Sequence, residues 1–488
     1  MDLWHEERLL VDGRLTAAED GRTYPTIDPS TGEELGRAAD ATVADADRAV
    51  AAARRAFDTT DWATDVAFRA RCLRQLHQAL LDRADELRQL VVADTGLPVM
   101  LTHHAGLDAP TEMVDWHVEL LDKYEFTEDL GVTEFRGEAH HRWVEKEPAG
   151  VVAAIVPYNF PVQITLAKLV PALAAGCTVV VKAPPQTPWT VAALGRLVAE
   201  HTDIPPGVVN VLTSSSQAVG EALVTDPRVD MVSFTGSTAV GRRIMADASA
   251  TVKKVFLELG GKSAFVVLDD ADVDLAAMMA GFTVCSHAGQ GCAITTRLLV
   301  PERMFDDVVA KVAGTLAGVP YGDPRDPGVL MGPLITEQHR RRVEGYVDGA
   351  RAEGAEVVTG GKRPDHLAQG FYYEPTLLTG VDPDARIAQE EVFGPVLVAI
   401  PYRDDDHAVE IANNSIFGLS GSVYGADVER ATAVARRIRT GTVSINGGMW
   451  YAPDAPFGGY KQSGIGREMG VAGLEEYLEL KTLARPAG

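Results

Sequence analysis

The chain has 488 residues, 46% hydrophobic and 23% charged, which indicates a globular protein of roughly two or three domains. Its 45 basic and 69 acidic residues leave a net charge of −24, which argues against nucleic acids and membranes as partners. The four cysteines are too few for a disulfide scaffold and lack CxxC spacing, so we expect no metal site. The acidic N-terminus lacks a signal-peptide core and no apolar run could span a bilayer, so we expect a cytoplasmic protein.

The first part of the chain predicts short strands and turns over 9–40, followed by helices. We place these helices at Ala44–Phe57, Phe68–Val92 and Thr111–Leu121, where apolar residues recur at helical spacing. Residues 122–147 change to a polar, alternating pattern with turn signals, which is typical of a protruding hairpin. Because an extended hairpin cannot bury its own face, we expect it to contact another subunit.

From residue 151 onward, short apolar strands alternate with helices. The series comprises strands over 151–156, 178–182, 208–212, 229–234 and 254–259, with helices over 161–175, 188–200, 217–224 and 238–248. This alternation predicts an α/β fold with a parallel sheet covered on both faces, and a second α/β series follows to residue 446. Ligands of such sheets bind at the carboxyl ends of the strands.

A cysteine follows a glycine-rich loop at Gly289-Gln290-Gly291-Cys292, between an apolar helix and a strand. Glycine lets backbone and ligand approach closely, so a substrate could reach this thiol. The alternative is a small buried hydrophobic residue, which is the usual role of a free cysteine.

Further candidate residues sit at the predicted strand ends. The turn at Phe234-Thr235-Gly236-Ser237 opens a helix, so it is either a phosphate site or an ordinary βα turn. Lys182 could hold a ribose or phosphate, or be a solvated surface lysine. Asn159 could stabilise an oxyanion or cap the helix starting at Pro161. Glu258 could act as general base on water, or hydrogen-bond the N–H groups of its turn.

Together these motifs resemble the aldehyde dehydrogenase superfamily over nearly the full chain. The motifs that carry the resemblance are Pro157-Tyr158-Asn159-Phe160-Pro161, Phe234-Thr235-Gly236-Ser237, Glu258-Leu259-Gly260-Gly261-Lys262, Gly289-Gln290-Gly291-Cys292, Glu391-Val392-Phe393-Gly394-Pro395 and Phe457-Gly458-Gly459-Tyr460-Lys461-Gln462-Ser463-Gly464.

The resemblance implies a set of catalytic roles. Cys292 would attack an aldehyde to give a thiohemiacetal, whose oxyanion Asn159 and the Cys292 N–H would hold. Hydride transfer to a nicotinamide would leave a thioester, which water activated by Glu258 would hydrolyse to a carboxylate. Glu468 matches a family glutamate that assists proton transfer.

The resemblance also implies NAD or NADP as the cofactor, with NAD favoured. The matching cofactor positions are Val156, Pro157, Lys182, Phe234, Gly236, Ser237, Val240, Leu259, Gly260, Glu391 and Phe393. Pro185 stands where NAD-preferring relatives often carry a ribose-binding glutamate, and Thr213-Ser214-Ser215-Ser216 replaces glycines. No carboxylate at 185 would repel a 2′-phosphate, so NADP stays open.

The family's substrate funnel is bordered by the loop that here carries Trp450, Tyr451 and Phe457. These side chains favour an apolar or aromatic aldehyde, or else serve only in packing. Two rival functions are a CoA-acylating relative, against which Glu258 argues, and a non-redox cysteine hydrolase on the same fold.

The implied organisation is a Rossmann-type cofactor domain over 1–121 and 148–258 and a catalytic domain over 259–446. Residues 447–470 would complete the active site. The hairpin at 122–147 and the tail at 471–488 would form a small β oligomerisation element, in which the tail pairs with a neighbouring subunit's sheet. A homodimer or homotetramer is therefore expected.

Overall fold

A computed structural model describes residues 5–487. The N-terminal part carries the predicted short strands and first helix, and its elements are β1 (Leu9–Val11), β2 (Arg14–Thr16), β3 (Thr23–Ile27), β4 (Glu34–Ala39), α1 (Val43–Thr59), α2 (Val66–Asp82), α3 (Ala84–Thr95), the single turn α4 (Val99–Leu101) and α5 (Asp108–Leu121). A π-helical turn, Thr102–Gly106, precedes α5.

The single helix predicted over Phe68–Val92 is wrong, because the chain forms two helices, α2 and α3, that meet at Arg83 (φ −111°, ψ 14°). No glycine or proline marks this break. Asp85 and Glu86 lie in the first turn of α3, where negative charge favours a helix N-terminus. Leucines of both helices are buried in one core, so tertiary packing decides the break.

The first α/β series follows the predicted alternation closely. After the hairpin strands β5 (Thr127–Phe135) and β6 (Glu138–Pro148), it comprises β7 (Val151–Ile155), α6 (Pro161–Ala175), β8 (Thr178–Lys182), α7 (Pro188–His201), β9 (Val209–Leu212), α8 (Gln217–Thr225), β10 (Met231–Thr235), α9 (Thr238–Ala248) and β11 (Lys254–Glu258). Strands β9, β8, β7, β10 and β11 run parallel in that order, and β1 and β2 extend the β9 edge antiparallel.

The second α/β series builds a separate seven-stranded sheet with its own core. Its elements are β12 (Ser263–Val267), α10 (Val273–Cys285), β13 (Thr295–Pro301), α11 (Phe305–Gly318), α12 (Glu337–Ala352), β14 (Glu356–Thr359), β15 (Thr376–Thr379), α13 (Arg386–Gln389), β16 (Val396–Tyr402), α14 (Asp405–Asn413), β17 (Gly421–Tyr424), α15 (Val428–Arg437) and β18 (Ser444–Ile445). The strand order is β14-β15-β16-β13-β12-β17-β18, with only the edge strand β14 antiparallel to its neighbour.

The last elements are β19 (Gly464–Ile465), α16 (Gly470–Glu475) and β20 (Leu478–Pro486). Strand β19 returns to the first sheet and pairs antiparallel with β11, with Gly464 opposite Glu258. The C-terminal segment thereby reaches the carboxyl edge of the first sheet.

The tail strand β20 pairs antiparallel with β6 of its own chain, from Leu478 opposite Pro148 to Pro486 opposite His140. The result is a three-stranded sheet in the order β20-β6-β5. Within residues 5–487 the other edge of β20 is free, so the expected pairing with a neighbouring subunit's sheet stays a prediction.

Within residues 5–487, the helices are all too short or too polar to cross a bilayer.

Candidate active site

The two sheets meet where strands β7, β8, β10 and β11 end. Two adjoining cavities lie there, on either side of the turn that opens α9. One is lined by Ile155, Lys182, Gln217, Phe234, Val240 and Arg243, among others. The other is lined by Pro157, Tyr158, Asn159, Thr235, Gly236, Ser237, Leu259, Gly260, Cys292, Arg342, Glu391 and Phe393. The second cavity therefore brings motifs from both sheets to one place.

The loop that carries the cysteine begins with a left-handed turn. His287 (φ 45°), Ala288 (φ 52°) and Gly289 (φ 73°) are consecutive left-handed residues, a conformation that is costly for side chains other than glycine. Gln290, fully buried, holds the turn in place: its side-chain oxygen accepts from the Ile335 N–H at 2.9 Å, and its amide donates to the His287 carbonyl at 3.1 Å.

Cys292 is half-buried, whereas the other three cysteines are buried. A Cβ placed on Gly261 would lie 2.3 Å from the Cys292 carbonyl oxygen, so the loop after β11 can pass this close only as glycine. Burial raises the pKa of the Cys292 thiol well above its ordinary value, and the nearby carboxylates of Glu258, Glu391 and Glu468 raise it further. The resting thiol is thus neutral and needs a base.

Asn159 lies buried beside this loop, and its Nδ2 donates to the Gln290 carbonyl at 2.8 Å. An amide nitrogen carries two hydrogens, so a second N–H stays available. The capping alternative fails, because Phe160 is the N-cap of α6 and no side chain caps that helix.

Glu258 ends β11 and is 1% exposed. Among the described residues, neither of its carboxylate oxygens has a hydrogen-bond partner of normal geometry, and the Gly459 N–H supplies only a weak favourable interaction. The structural alternative, a carboxylate bound by its own turn, therefore fails. Burial, followed by repulsion from Glu468, raises the pKa of Glu258 well above its ordinary range, while Lys168 and Arg467 partly offset the shift.

Glu468 is held by a residue that the sequence patterns did not single out. The Lys168 ammonium, fully buried on α6, lies 2.8 Å from a Glu468 carboxylate oxygen. A buried pair of this kind fixes both charges in place. The only local sign was a lone lysine inside the apolar helix Pro161–Ala175.

The turn before α9 fits a phosphate group. Ser237 is the N-cap of α9 and accepts from the Val240 N–H at 3.4 Å, and the other N–H groups at a helix start suit an anion. A Cβ on Gly236 would lie 2.4 Å from the tip of the Phe234 ring, so a larger residue here would require that ring to move. The strand–turn–helix arrangement thus fits the pyrophosphate of a dinucleotide.

The remaining cofactor candidates flank that turn. Lys182 is only 8% exposed and reaches the Ser214 carbonyl at 3.5 Å, so it is not a surface lysine. Val156 is buried beneath the first residues of the cavity, and its N–H donates to the Lys182 carbonyl at 3.2 Å. Glu391 accepts from the Gly261 N–H at 2.9 Å, and burial raises the pKa of its carboxyl to about 7.

Phe393 borders the same cavity in a strained backbone conformation (φ 61°). His339, at the start of α12, holds it: the His339 Nε2 donates to the Phe393 carbonyl at 2.6 Å. The two rings and that of Tyr158 meet edge to face, with centroids 6.1–6.2 Å apart. Sequence patterns did not identify His339.

Replacing His339 by alanine should raise the KM for the coenzyme by about tenfold, because Phe393 loses the bond that keeps it in its strained conformation. The kcat should change much less. His339→Gln should restore most of the affinity, since its amide also donates. Coenzyme titrations at saturating aldehyde measure both values.

His407→Ala is the matched control, since His407 occupies the same position after the N-cap of α14 but lies outside these cavities. An unchanged coenzyme KM in His339→Ala would show that the contact does not position Phe393.

The three predicted substrate residues form one aromatic group. Trp450 stacks on Phe457 with ring centroids 5.5 Å apart, and it meets Tyr451 edge to face at 6.1 Å. Phe457 pairs with Glu468 through two backbone hydrogen bonds. Burial raises the pKa of Tyr451, and the charges of Glu468 and Cys292 add to the shift, so this aromatic group borders the reactive residues.

Comparison with known proteins agrees with this geometry. Residues 15–483 match the profile of the Aldehyde dehydrogenase family. The chain is 38% identical to the betaine aldehyde dehydrogenase of Bacillus subtilis (strain 168), covering 98% of this chain and 97% of the relative. It is 39% identical to a 3-succinoylsemialdehyde-pyridine dehydrogenase of Pseudomonas sp, with 97% of each chain covered.

Solved structures give the same answer. A Mycobacterium tuberculosis aldehyde dehydrogenase complexed with NAD+ superposes with a TM-score of 0.95 at 40% identity, covering 99% of each chain. An aldehyde dehydrogenase C mutant from Pseudomonas syringae, in complex with NAD+ and octanal, has a TM-score of 0.92 at 38% identity, covering 98% of this chain and 96% of that one.

These matches confirm the resemblance, the Rossmann-type α/β fold class and the assignment to oxidoreductases that use a nicotinamide coenzyme. The chain therefore belongs to the aldehyde dehydrogenase family.

Proposed function

We propose that this chain oxidises an apolar or aromatic aldehyde to the carboxylate, with NAD as the favoured coenzyme and water as the final acceptor of the acyl group. The observation that carries the proposal is the meeting of Cys292 and the Asn159 amide in the cavity that starts at the α9 turn, with the unpaired Glu258 carboxylate close enough to raise the pKa of the thiol. Nucleophile, oxyanion donor and base are the groups that acyl transfer through a thioester requires.

The first step is attack of the thiol on the aldehyde carbonyl. The neutral Cys292 thiol must give up its proton, and Glu258 is a nearby carboxylate without a hydrogen-bond partner in residues 5–487. Its raised pKa makes it a better proton acceptor than an ordinary glutamate. The free N–H of Asn159, with the backbone N–H of Cys292, stabilises the oxyanion of the thiohemiacetal.

Oxidation of the thiohemiacetal to a thioester requires a hydride acceptor, which a nicotinamide coenzyme would supply when bound. The α9 turn and Lys182 would hold its phosphate and adenosine parts, and Glu391 its second ribose. Glu258 first passes the thiol proton to Glu468, which Lys168 holds at 2.8 Å. Glu258 then takes a proton from water as the water attacks the thioester. The carboxylic product and the thiolate separate, and the thiolate takes back a proton to regenerate the thiol.

The aromatic group of Trp450, Tyr451 and Phe457 supports an apolar or aromatic substrate, because flat apolar walls gain most from burying such a molecule. The octanal bound by the Pseudomonas syringae relative is in keeping with this class.

The three-stranded sheet supports a homodimer or homotetramer. We place this assembly in the cytoplasm. Val132, Phe135 and Leu480 are 61%, 64% and 72% exposed on it, and exposed apolar side chains in one small sheet suit a subunit interface. The hairpin and tail at 122–147 and 471–488 are then the oligomerisation element, beside cofactor and catalytic domains with the boundaries given above.

Purified protein given NAD or NADP and a panel of aldehydes, without CoA, should form reduced nicotinamide with apolar or aromatic aldehydes. Absorbance of the reduced coenzyme measures the reaction directly. A requirement for CoA would favour the acylating rival, whereas ester cleavage with no reduced coenzyme would favour the hydrolase.

A further inference from the structure

A small cavity lies against the second sheet and shares no lining residue with the two cavities at the strand ends of the first. About 10 Å³ of it is accessible to the centre of a water-sized sphere, which is room for one water molecule or one ion of similar size. Within residues 5–487, no acidic residue lines this cavity, whereas two residues with cationic side chains do. The lining includes Lys262, Ala264, Arg297, Ala412, Phe417 and Ile438.

The two cationic residues belong to one face of the sheet. Ala264 and Arg297 are opposite each other in the parallel pairing of β12 with β13, and Lys262 comes two residues before Ala264. Because side chains alternate along a strand, Lys262 shares the face of Arg297. On that face Arg297 donates to the Ile411 and Ala412 carbonyls of α14, at 2.8 Å each. Both cationic side chains therefore lie on the side of the sheet that the cavity occupies.

The two cations differ in how they are compensated. Arg297 is 1% exposed, but its acceptors lie in the last turn of α14, where helix carbonyls carry partial negative charge. Lys262 is 2% exposed, and within residues 5–487 its ammonium has no hydrogen-bond partner. Burial, followed by repulsion from Arg297, lowers the pKa of Lys262 to about 7, and the carboxylates of Glu391 and Glu390 only partly offset the shift. Such a cation is stabilised by a counterion at the same place.

The size and the charge of the cavity together select its occupant. A water molecule would accept a hydrogen bond from the ammonium but would leave the positive charge unbalanced. A monovalent anion of about the size of chloride accepts the same hydrogen bond and also balances the charge. Polyatomic anions such as sulfate are too large for a space that holds one water-sized particle.

We propose that this cavity is a binding site for one small monovalent inorganic anion, of the size of chloride or bromide, which pairs with Lys262 beside Arg297. Lys262 follows Gly261, whose N–H donates to Glu391 at 2.9 Å and whose backbone packs against the Cys292 carbonyl. The bound anion thereby anchors the start of β12 and the loop that contacts both the cysteine segment and the cavity carboxylate. The anion takes no part in the proposed reaction, so the two proposals succeed or fail separately.

The first test is thermal unfolding of the full-length protein at constant ionic strength, with chloride replacing gluconate, an anion too large for the cavity. The unfolding midpoint of wild type should increase by about 3 °C or more and then level off as the site fills, because a ligand of the folded state stabilises it. Bromide should act like chloride. In Lys262→Met the increase should be lost, since the cation that holds the anion is gone.

Lys253→Met is the matched control. Lys253 is another lysine whose pKa is lowered by burial, but its ammonium donates to the Asp226 carbonyl at 2.7 Å. This variant should keep the chloride effect. If Lys262→Met does not fold, Lys262→Gln removes the same charge with a polar side chain.

Crystals of wild type grown in bromide locate the ion directly. Anomalous scattering should show one bromide in contact with the Lys262 ammonium, and no such signal there in the Lys262 variant. An equal response of the midpoint to chloride in wild type and in the variant would overturn the proposal. A peak at this place without anomalous signal would also overturn it, since the cavity would then hold an ordered water only.

Discussion

Replacing Cys292 by alanine should lower kcat by about ten-thousand-fold or more, to the limit of detection. The oxidation depends on a covalent carbon–sulfur bond between the aldehyde and Cys292. No other cysteine can form this bond, because Cys72, Cys177 and Cys285 are 0%, 0% and 2% exposed. Steady-state formation of reduced coenzyme with a good aldehyde measures the loss. Coenzyme affinity should survive, since the cofactor contacts lie on other loops.

Cys285→Ala is the natural control, because it removes a thiol from the helix just before the same loop. It should retain activity. Alkylation gives an independent measurement: iodoacetamide should modify one thiol in wild type and none in Cys292→Ala. Because the pKa of Cys292 is raised, the thiolate fraction is small at neutral pH, and alkylation should accelerate as the pH increases. If Cys292→Ala retained its turnover, Cys292 could not be the nucleophile.

Glu258→Gln should slow steady-state turnover by about a hundredfold or more while leaving a burst of reduced coenzyme in the first turnover. Glutamine keeps the shape of the side chain but cannot take a proton from water, so the thioester would accumulate. Stopped-flow absorbance separates the burst from the steady state. Since burial raises the pKa of Glu258, its basic form is lost as pH falls, and wild-type deacylation should increase with pH through that raised pKa.

The increase of the deacylation rate with pH should disappear in Glu258→Gln, because the group that titrates is gone. Glu390→Gln is the control: Glu390 is a nearby glutamate that pairs with Tyr346 and Arg386 at the surface and should leave both phases intact. A normal burst followed by an unchanged steady state in Glu258→Gln would assign the hydrolytic base to another residue. Glu468 would then be the first candidate.

Local sequence was sufficient for most of the elements, and it singled out the candidate residues near strand ends. Cys292, Glu258 and Asn159 each sit in a short motif whose neighbours, chiefly glycines, are explained by close backbone approach, as at Gly261. The parallel direction of the central strands also followed from the alternation of apolar strands and helices. Motifs far apart in the chain met because the carboxyl ends of strands share an edge.

Sequence patterns could not predict contacts between residues that are far apart in the chain. Lys168 binds Glu468 from a helix in the first sheet's series, His339 binds Phe393 across the second, and Asp40 reaches a serine loop after β9. Nothing in the spacing of these residues signals a contact. The helix break at Arg83 was not predicted for a related reason, since tertiary packing rather than a helix-breaking residue sets its position.

The short strand β19 has a consequence for how the protein is made. It closes the free edge of β11 at Glu258, and Ser463, just before it, donates to the Gly260 carbonyl at 2.7 Å and accepts from the Gly418 N–H at 2.9 Å. Because domains fold as they leave the ribosome, the first sheet stands ready with this edge open while the rest of the chain is still being translated. The reactive centre is completed only when the segment around residue 464 arrives, so a chain that has passed residue 292 but not residue 464 carries the cysteine and the base without the groups that lock them together.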